Sequence, residues 1–569
     1  MKQILLTVFV ISLYRVAAFA QPNLFSDGKS EYVIVVDKQA SASERNAAKE
    51  LQKYVLQMSG ATLPIVNNLN TQGKAIFIGY NSSVARLTGK TQPASSDEGF
   101  TYLTAGDNLL IFGGCDRGTM YGVFAFLEQQ LGVRWYAPDC TKVPRLSKWK
   151  LPKLNHHEEP AFKYREIFSY DGLTQKVWRA HNLANCYGRG YENYGPSEFF
   201  WSSHTMGQFV SASEYFDSHP EYFGWVDGKR INNGQLCLSN PAIKGILTKK
   251  LLEAIKEHPE CWAYDLSPND NEKYCTCANC QALIKRYGGM SGLALWVVNQ
   301  VAAEVARVYP DKMISMLAYK TTQEPPIGII PAPNVVIRLC SMYSCRLHPL
   351  TDKENQPFVE AYNGWRRLTS NIFIWNYEVN FQQFIPPLPN LATIAPNMQF
   401  FKRYGAIGVR PQAQHASHGG EFAELRQWLL AKMLWNPEQD TDGLIREFIK
   451  EYYGKASSDV LQYYRLCLSL QDGNWHLPRS TNKNLDSYPD DFIRNGSKLL
   501  NHARLQVQND SIMVSRIDRL RLQTLMLQLM KHRATSIIDG TLQEVRRIME
   551  KEKPHVRENL KYDDFLKQY

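Results

Sequence analysis

The sequence predicts an α/β protein: a (β/α)8 TIM-like barrel preceded by a small α/β domain and followed by a helical C-terminal region. Three observations predict this. Short apolar strands alternate with amphipathic helices across residues 160–437, a shorter alternation of the same kind fills residues 28–150, and residues 438–569 show helical periodicity. At 569 residues the chain is too long for one ordinary core.

In the N-terminal domain, Tyr32 to Val36 is a β-branched run, and Ser43 to Met58 follows with helical spacing. Ala75 to Gly79 and Leu109 to Gly113 read as buried strands, and Thr119 to Leu131 as a helix stopped by Gly132. The barrel strands are expected at Tyr164 to Ser169, Gln235 to Ser239, Trp262 to Leu266, Met313 to Tyr319, Val335 to Leu339, Ile372 to Tyr377 and Ala406 to Val409. An eighth is expected at Cys186 to Tyr187 or at Glu198 to Trp201. Helices intervene at 242–257, 292–308, 358–368, 391–404 and 421–434. The C-terminal helices are expected at 444–453, 458–470, 492–508, 512–533 and 542–552.

Residues 1–20 read as a cleavable signal peptide: Lys2 supplies the charge, Ile4 to Leu13 the apolar run and Ala18-Phe19-Ala20 the cleavage site. Export across an inner membrane to the periplasm or the outside follows, with no membrane span. The net charge of +10 is scattered among acids, so no nucleic-acid partner is expected. The 12 Trp and 30 Tyr suit stacking on pyranose faces as well as a core, which makes a glycan or glycoprotein the expected partner. No cofactor is expected. Cys275, Cys277 and Cys280 form a CxCxxC run with Cys237 upstream. A second CxxC is missing, so disulfides or free thiols are favoured over zinc, and no metal site is assigned.

The candidate catalytic pair is Asn376 and Glu378. Residues two apart on a strand share a face, which puts Trp375 and Tyr377 on the other. Such a pair suits neighbouring-group hydrolysis of an N-acetylglucosaminide: Glu378 protonates the leaving oxygen and Asn376 orients the acetamido group. Asp270 and Glu272 are the rival pair, in a loop after a strand, and Asp265 reads equally well as a buried hydrogen-bond hub. Substrate contacts are expected from Trp375, Tyr377, His204, Trp201, Tyr319, Arg165 and Glu272, although Arg165 and Glu166 also fit an inward ion pair. His415 and His418 lack a third ligand.

Several runs are similar to one family: His219-Pro220-Glu221-Tyr222-Phe223, Gln235-Leu236-Cys237-Leu238, Ser267-Pro268-Asn269-Asp270, the CxCxxC run, Pro389-Asn390-Leu391 and Tyr452-Tyr453-Gly454-Lys455-Ala456. They resemble the domain of unknown function 4838, part of which is glycoside hydrolase family 163. The N-terminal domain resembles that of α-glucuronidases and β-hexosaminidases. The resemblance implies a retaining endo-β-N-acetylglucosaminidase that cleaves the core of complex N-glycans through an oxazoline. Two departures stand out: the wider family reads Trp-Asp-Tyr where this chain has Trp375-Asn376-Tyr377, and carries a Glu where Pro411 stands. The alternatives are an exo-glycosidase or α-glucuronidase-like hydrolase with two carboxylates, such as Asp270 and Glu378, and a glycan-binding protein without turnover.

Overall fold

The computed structural model describes residues 21–67, 73–185, 192–195, 198–471, 475–477, 485 and 487–569. The expected signal peptide and the strand candidate at Cys186 to Tyr187 lie outside these residues.

The N-terminal unit is a six-stranded sheet in the order Asn155–Glu158, Phe100–Ala105, Asn108–Gly113, Lys74–Ile78, Tyr32–Val36, Ile65–Val66. Helices Ala42–Ser59 and Gly118–Gln129 pack on it. The first helix starts at a capping box, in which the Ser41 hydroxyl accepts from the Glu44 amide and the Glu44 carboxylate accepts from the Ser41 amide. It ends at Gly60, whose φ of 77° suits glycine.

The central sheet has seven parallel strands: β1 (Tyr164–Arg165), β2 (Glu198–Trp201), β3 (Cys261–Asp265), β4 (Met313–Ala318), β5 (Val335–Cys340), β6 (Ile372–Tyr377) and β7 (Gly408–Gln412). They are hydrogen-bonded in the order β1-β7-β6-β5-β4-β3-β2, so the first strand returns beside the last and the sheet curls. Among the described residues, β1 and β2 do not pair, and the expected eight-stranded barrel appears as a seven-stranded curled sheet. The missing strand is the one expected at Gln235 to Ser239. That segment forms only an isolated bridge from Leu236 to Phe223, because its polar groups are committed to a neighbouring loop.

Alternation along each strand sends side chains to two interiors. Ile337, Leu339, Ile372, Ile374 and Val409 face outward into the main core shared with the helices. The inner face is layered. Tyr164, Val336 and Phe373 fill one end, and Leu317, Cys340 and Tyr377 cluster at the other. Between them lie two ion pairs, Asp265 with Arg338 at 3.6 Å and Glu166 with Arg410 at 3.6 Å. Arg410 is sandwiched by Phe168 (3.9 Å) and Trp375 (4.2 Å).

Arg165 corrects an expectation. Its side chain is fully buried on the outer face of β1, paired with Glu98 of the N-terminal unit at 2.5 Å. It also donates to the carbonyls of Leu183 and Phe162, and lies over the Trp435 ring. With its donors spent in this way, it joins two parts of the fold and does not reach a substrate. Glu98 is shared further with Arg117 and Asn185.

The C-terminal helices Thr441–Tyr453, Ser457–Leu468, Asp490–Gln506, Ser511–Lys531 and Thr541–Glu552 follow the expected pattern. The chain then departs from it, forming a hairpin of His555–Arg557 and Leu560–Lys561. The hairpin docks on the loops after β6 and β7: the Phe384 amide donates to Val556 O, the Glu558 amide to Phe381 O and the His555 amide to Ser417 Oγ. Among the described residues, no helix is long and apolar enough to cross a membrane.

Breaking a buried ion pair from one side leaves an uncompensated charge. Glu98→Ala is expected to cost roughly 3–5 kcal/mol in urea unfolding. A loss below about 1 kcal/mol would show that Arg165 finds other compensation.

Candidate functional site

A cavity of about 310 Å³ opens at the C-terminal ends of the strands, where parallel α/β sheets bind their ligands. Trp375 and Tyr377 of β6 form one wall, with ring centroids 6.2 Å apart and nearly parallel planes, and Phe381 meets Tyr377 edge-on. Leu317, Tyr319, Cys340 and Met342 continue the apolar surface. His204, Asp270, Lys320, Gln382, Gln412 and Glu558 supply the polar groups. An aromatic wall facing a few convergent polar groups suits a sugar ring.

Of the residues expected from sequence, the structure brings His204, Asp270, Tyr319, Trp375 and Tyr377 into this cleft. His204 has a left-handed backbone, φ 55°, which is uncommon for a non-glycine residue and frequent at functional sites. Its Nδ1 donates to Pro268 O at 2.7 Å, which fixes the tautomer and leaves Nε2 as an acceptor. The next residue holds it there: the Thr205 amide donates to Asp265 Oδ2 at 3.1 Å and the Thr205 hydroxyl to Asp265 O at 2.6 Å. Asp265 is thus the buried hub, also accepting from the Ser267 hydroxyl at 2.6 Å, and its burial raises its pKa. Gln412 orients the wall by accepting from Trp375 Nε1 at 2.8 Å.

Glu272 stands at the exposed rim, where the Tyr343 hydroxyl donates to it at 3.2 Å. The strand of Trp201 is described but its side chain is not. The outer Asn376 and Glu378 share a face as expected, and Asn376 Nδ2 donates to Glu378 Oε1 at 2.7 Å. That face is the one turned away from the cleft. Glu378 is 2% exposed and also accepts from Asn390 Nδ2 at 2.8 Å. Asn390 in turn accepts from Arg426, which pairs with Glu421, while the Ser341 hydroxyl donates to Asn376 Oδ1 at 2.6 Å. A separate cavity of about 30 Å³ adjoins Glu378. Burial pushes its carboxyl up to about 7, against the pull of Arg426, Arg346 and the Asn376 hydrogen bond.

Two charged cleft residues were missed. Lys320, at φ 53°, donates to Asp270 Oδ1 at 2.7 Å. Glu558 comes from the C-terminal hairpin, and its carboxyl is raised first by burial and then by the charge of Asp270. No sequence pattern announces Glu558, since a three-residue strand after Pro554 is too short to show periodicity. Among the described residues, two groups of donors outside the cleft have metal-ligand character: Cys237, Cys275, Cys277 and Cys280, and Cys345, His348 and His476. In the first, Cys237 brings a fourth sulfur beside the CxCxxC run, and none of the four is in a disulfide.

Residues 135–465 match the family described as "Domain of unknown function (DUF4838)", more than half of the chain. The chain belongs to this family. Residues 26–126 match the N-terminus of glycosyl hydrolase family 67. α-Glucuronidase A of Emericella nidulans is 25% identical over 200 residues, 34% of this chain and 21% of that protein, so the chain matches about a fifth of the relative's length. A family GH115 4-O-methyl-α-glucuronidase with specificity for decorated arabinogalactans superposes with a TM-score of 0.59 at 13% identity, covering 92% of this chain and 76% of that one. A GH138 enzyme targeting pectin rhamnogalacturonan II gives 0.50 at 11%, covering 95% and 98%. CpGH84D gives 0.50 at 12%, covering 93% and 90%. At these identities the structures establish a shared fold. The expected family 4838 and α-glucuronidase-type N-terminal domain are both present; none of these matches carries the expected family 163 or endo-β-N-acetylglucosaminidase activity.

The raised Glu378 carboxyl has a measurable signature. Between its ordinary value of 4.5 and about 7 the folded chain holds a proton that the unfolded chain has released, so this group lowers stability as pH rises through that window. The full loss is about 3 kcal/mol. Urea unfolding at about pH 5 and about pH 8 should show Glu378→Gln losing roughly 2–3 kcal/mol less than the parent between the two. Equal slopes for both proteins would remove Glu378 as the source.

Proposed function

We propose that the protein is a glycoside hydrolase of the α-glucuronidase-like kind, cleaving its substrate between the carboxylates of Asp270 and Glu558. The observation that carries this reading is that these two acids, from distant parts of the chain, face one sugar-sized aromatic cleft. The match to the family 67 N-terminus and the likeness to α-glucuronidase A support it.

The two carboxyls have different environments, as acid and base roles require. Glu558, with its raised pKa, is the general acid that protonates the leaving oxygen. Asp270 is held beside the Lys320 ammonium at 2.7 Å, and it serves as the base or nucleophile. Trp375 and Tyr377 stack the sugar, and His204 Nε2 accepts from a hydroxyl. Asn376 and Glu378 brace β6 against the helices.

A second reading keeps the endo-β-N-acetylglucosaminidase expectation with a new residue in the Asn376 role. The apolar box of Trp375, Tyr377 and Tyr319 fits an acetamido methyl, and Asp270 at its edge would orient the amide. Incubation with α-glucuronide-capped oligosaccharides and with a complex-type N-glycoprotein, followed by mass spectrometry, separates the two. Free uronic acid supports the first reading. Glycans with one reducing-end N-acetylglucosamine support the second, and an unchanged pair of substrates sinks both in favour of binding alone.

On the cleaved substrate, Asp270→Asn and Glu558→Gln should each lower kcat/KM by roughly 10²–10⁴-fold. Glu378→Gln should stay within about tenfold of the parent; a loss as deep as that of Asp270→Asn would return the acid role to Glu378. The alkaline limb of the kcat/KM profile should report Glu558 losing its proton. In the residual activity of Asp270→Asn that limb should move to lower pH, because the charge that helped raise Glu558 is gone. An unmoved limb would exclude Glu558 as the group titrating there.

A further inference from the structure

The loop that carries Asp270 leaves β3 at Asp265 and ends at the helix Ala278–Tyr287. Nothing regular holds it, yet it must present one carboxylate to the cleft. Its partner is the segment Gly234 to Cys237. The Gln235 amide group donates to Asn269 O and Asn271 O, both at 2.7 Å, and Gln235 Oε1 accepts from the Asn269 amide at 2.8 Å. Asn269 Nδ2 donates to Gly234 O, and the Gln235 amide to Lys273 O. Beyond this clasp the two segments meet again at four cysteines.

The Sγ atoms of Cys237, Cys275, Cys277 and Cys280 all lie within 4.8 Å of one another. Cys237 is 3.7 Å from Cys277 and 4.0 Å from Cys280. Four thiolates at about 2.3 Å from a tetrahedral Zn²⁺ are about 3.8 Å apart, so the spacing is that of a metal centre and not of bonded sulfurs. Three of the four cysteines are buried.

The surroundings suit thiolates. The Trp225 amide points at Cys275 Sγ at 3.3 Å, and an Arg230 guanidinium nitrogen lies 3.9 Å from the same sulfur. Ser239 Oγ is 3.1 Å from Cys280 Sγ and 3.6 Å from Cys277 Sγ. Cys277 is the N-cap of the helix Ala278–Tyr287, and Cys280 lies in its first turn, where free backbone amides favour negative charge.

We propose that Cys237, Cys275, Cys277 and Cys280 form a closed tetrathiolate site for Zn²⁺, and that the bound ion anchors the loop presenting Asp270 to the cleft. Four protein ligands leave no open position, so the ion is structural. The site joins segments about 40 residues apart in sequence, a crosslink that needs no oxidation and cannot be shuffled between partners.

The test is elemental analysis of the full chain after exhaustive desalting, paired with iodoacetamide labelling in the native and denatured states. The expected result is one zinc per chain, with these four cysteines protected when native and labelled when denatured with a chelator. Replacement by Co²⁺ should give the visible bands of a tetrahedral thiolate centre. Cys277→Ser keeps a favourable helix cap, so the helix should persist by circular dichroism while zinc is lost to the same chelator wash. Cys115→Ser, in the N-terminal unit, should keep its zinc. A zinc-free chain with these cysteines in disulfides or freely labelled when native would overturn the proposal, as would stoichiometric iron. Metal content is read without any substrate, so this outcome is independent of which glycosidic bond the cleft cleaves.

Discussion

A parallel strand flanked by helices has no solvent face, and its side chains must alternate between two interiors that differ in kind. This constraint organises the molecule. On β6 it sends Trp375 and Tyr377 to the lumen and the cleft above it, and Asn376 to the helices, with Glu378 beyond the strand on the same outer side. Neighbours one residue apart therefore answer to separate requirements, one of ligand contact and one of packing.

The same constraint explains why so many charged groups are fully buried. Two of the long side chains in the lumen are arginines, and each has an acidic partner: Arg338 with Asp265, Arg410 with Glu166. On the outer side the chain Ser341, Asn376, Glu378, Asn390, Arg426, Glu421 is continuous in hydrogen bonds, so each side chain along it has a protein partner. Breaking such a network leaves a buried group unsatisfied, which makes its members as intolerant of substitution as catalytic residues.

That similarity limits what the sequence discloses. Strand β6 was legible to the residue because Ile372 to Tyr377 is an apolar run with no competing turn signal, and the pairing of faces followed from period two. Which face met the cleft was not legible, since the Asn376 and Glu378 pair on one face and the Trp375 and Tyr377 pair on the other each suit a sugar site. Gln235 to Ser239 has the composition of a strand, but Gln235 binds loop backbone and Cys237 turns to the sulfur cluster, choices that only distant segments impose. The seventh strand begins later than expected, at Gly408, and runs through Pro411, which the parallel ladder accommodates opposite Asn376. All four cysteines were legible as a group, Cys237 included, but their convergence was not, because Cys237 lies far upstream of the CxCxxC run with nothing local to mark its approach.

The position of Glu558 bears on how this architecture can change over evolutionary time. A barrel whose chemistry sits wholly on its own loops can be recombined with new neighbours and keep its reaction. Here one acid of the cleft is lent by a hairpin from the helical region, docked through Val556 and His555. Gene fusions that exchange that region therefore exchange part of the cleft lining, and the curled sheet and its C-terminal companion must be inherited together.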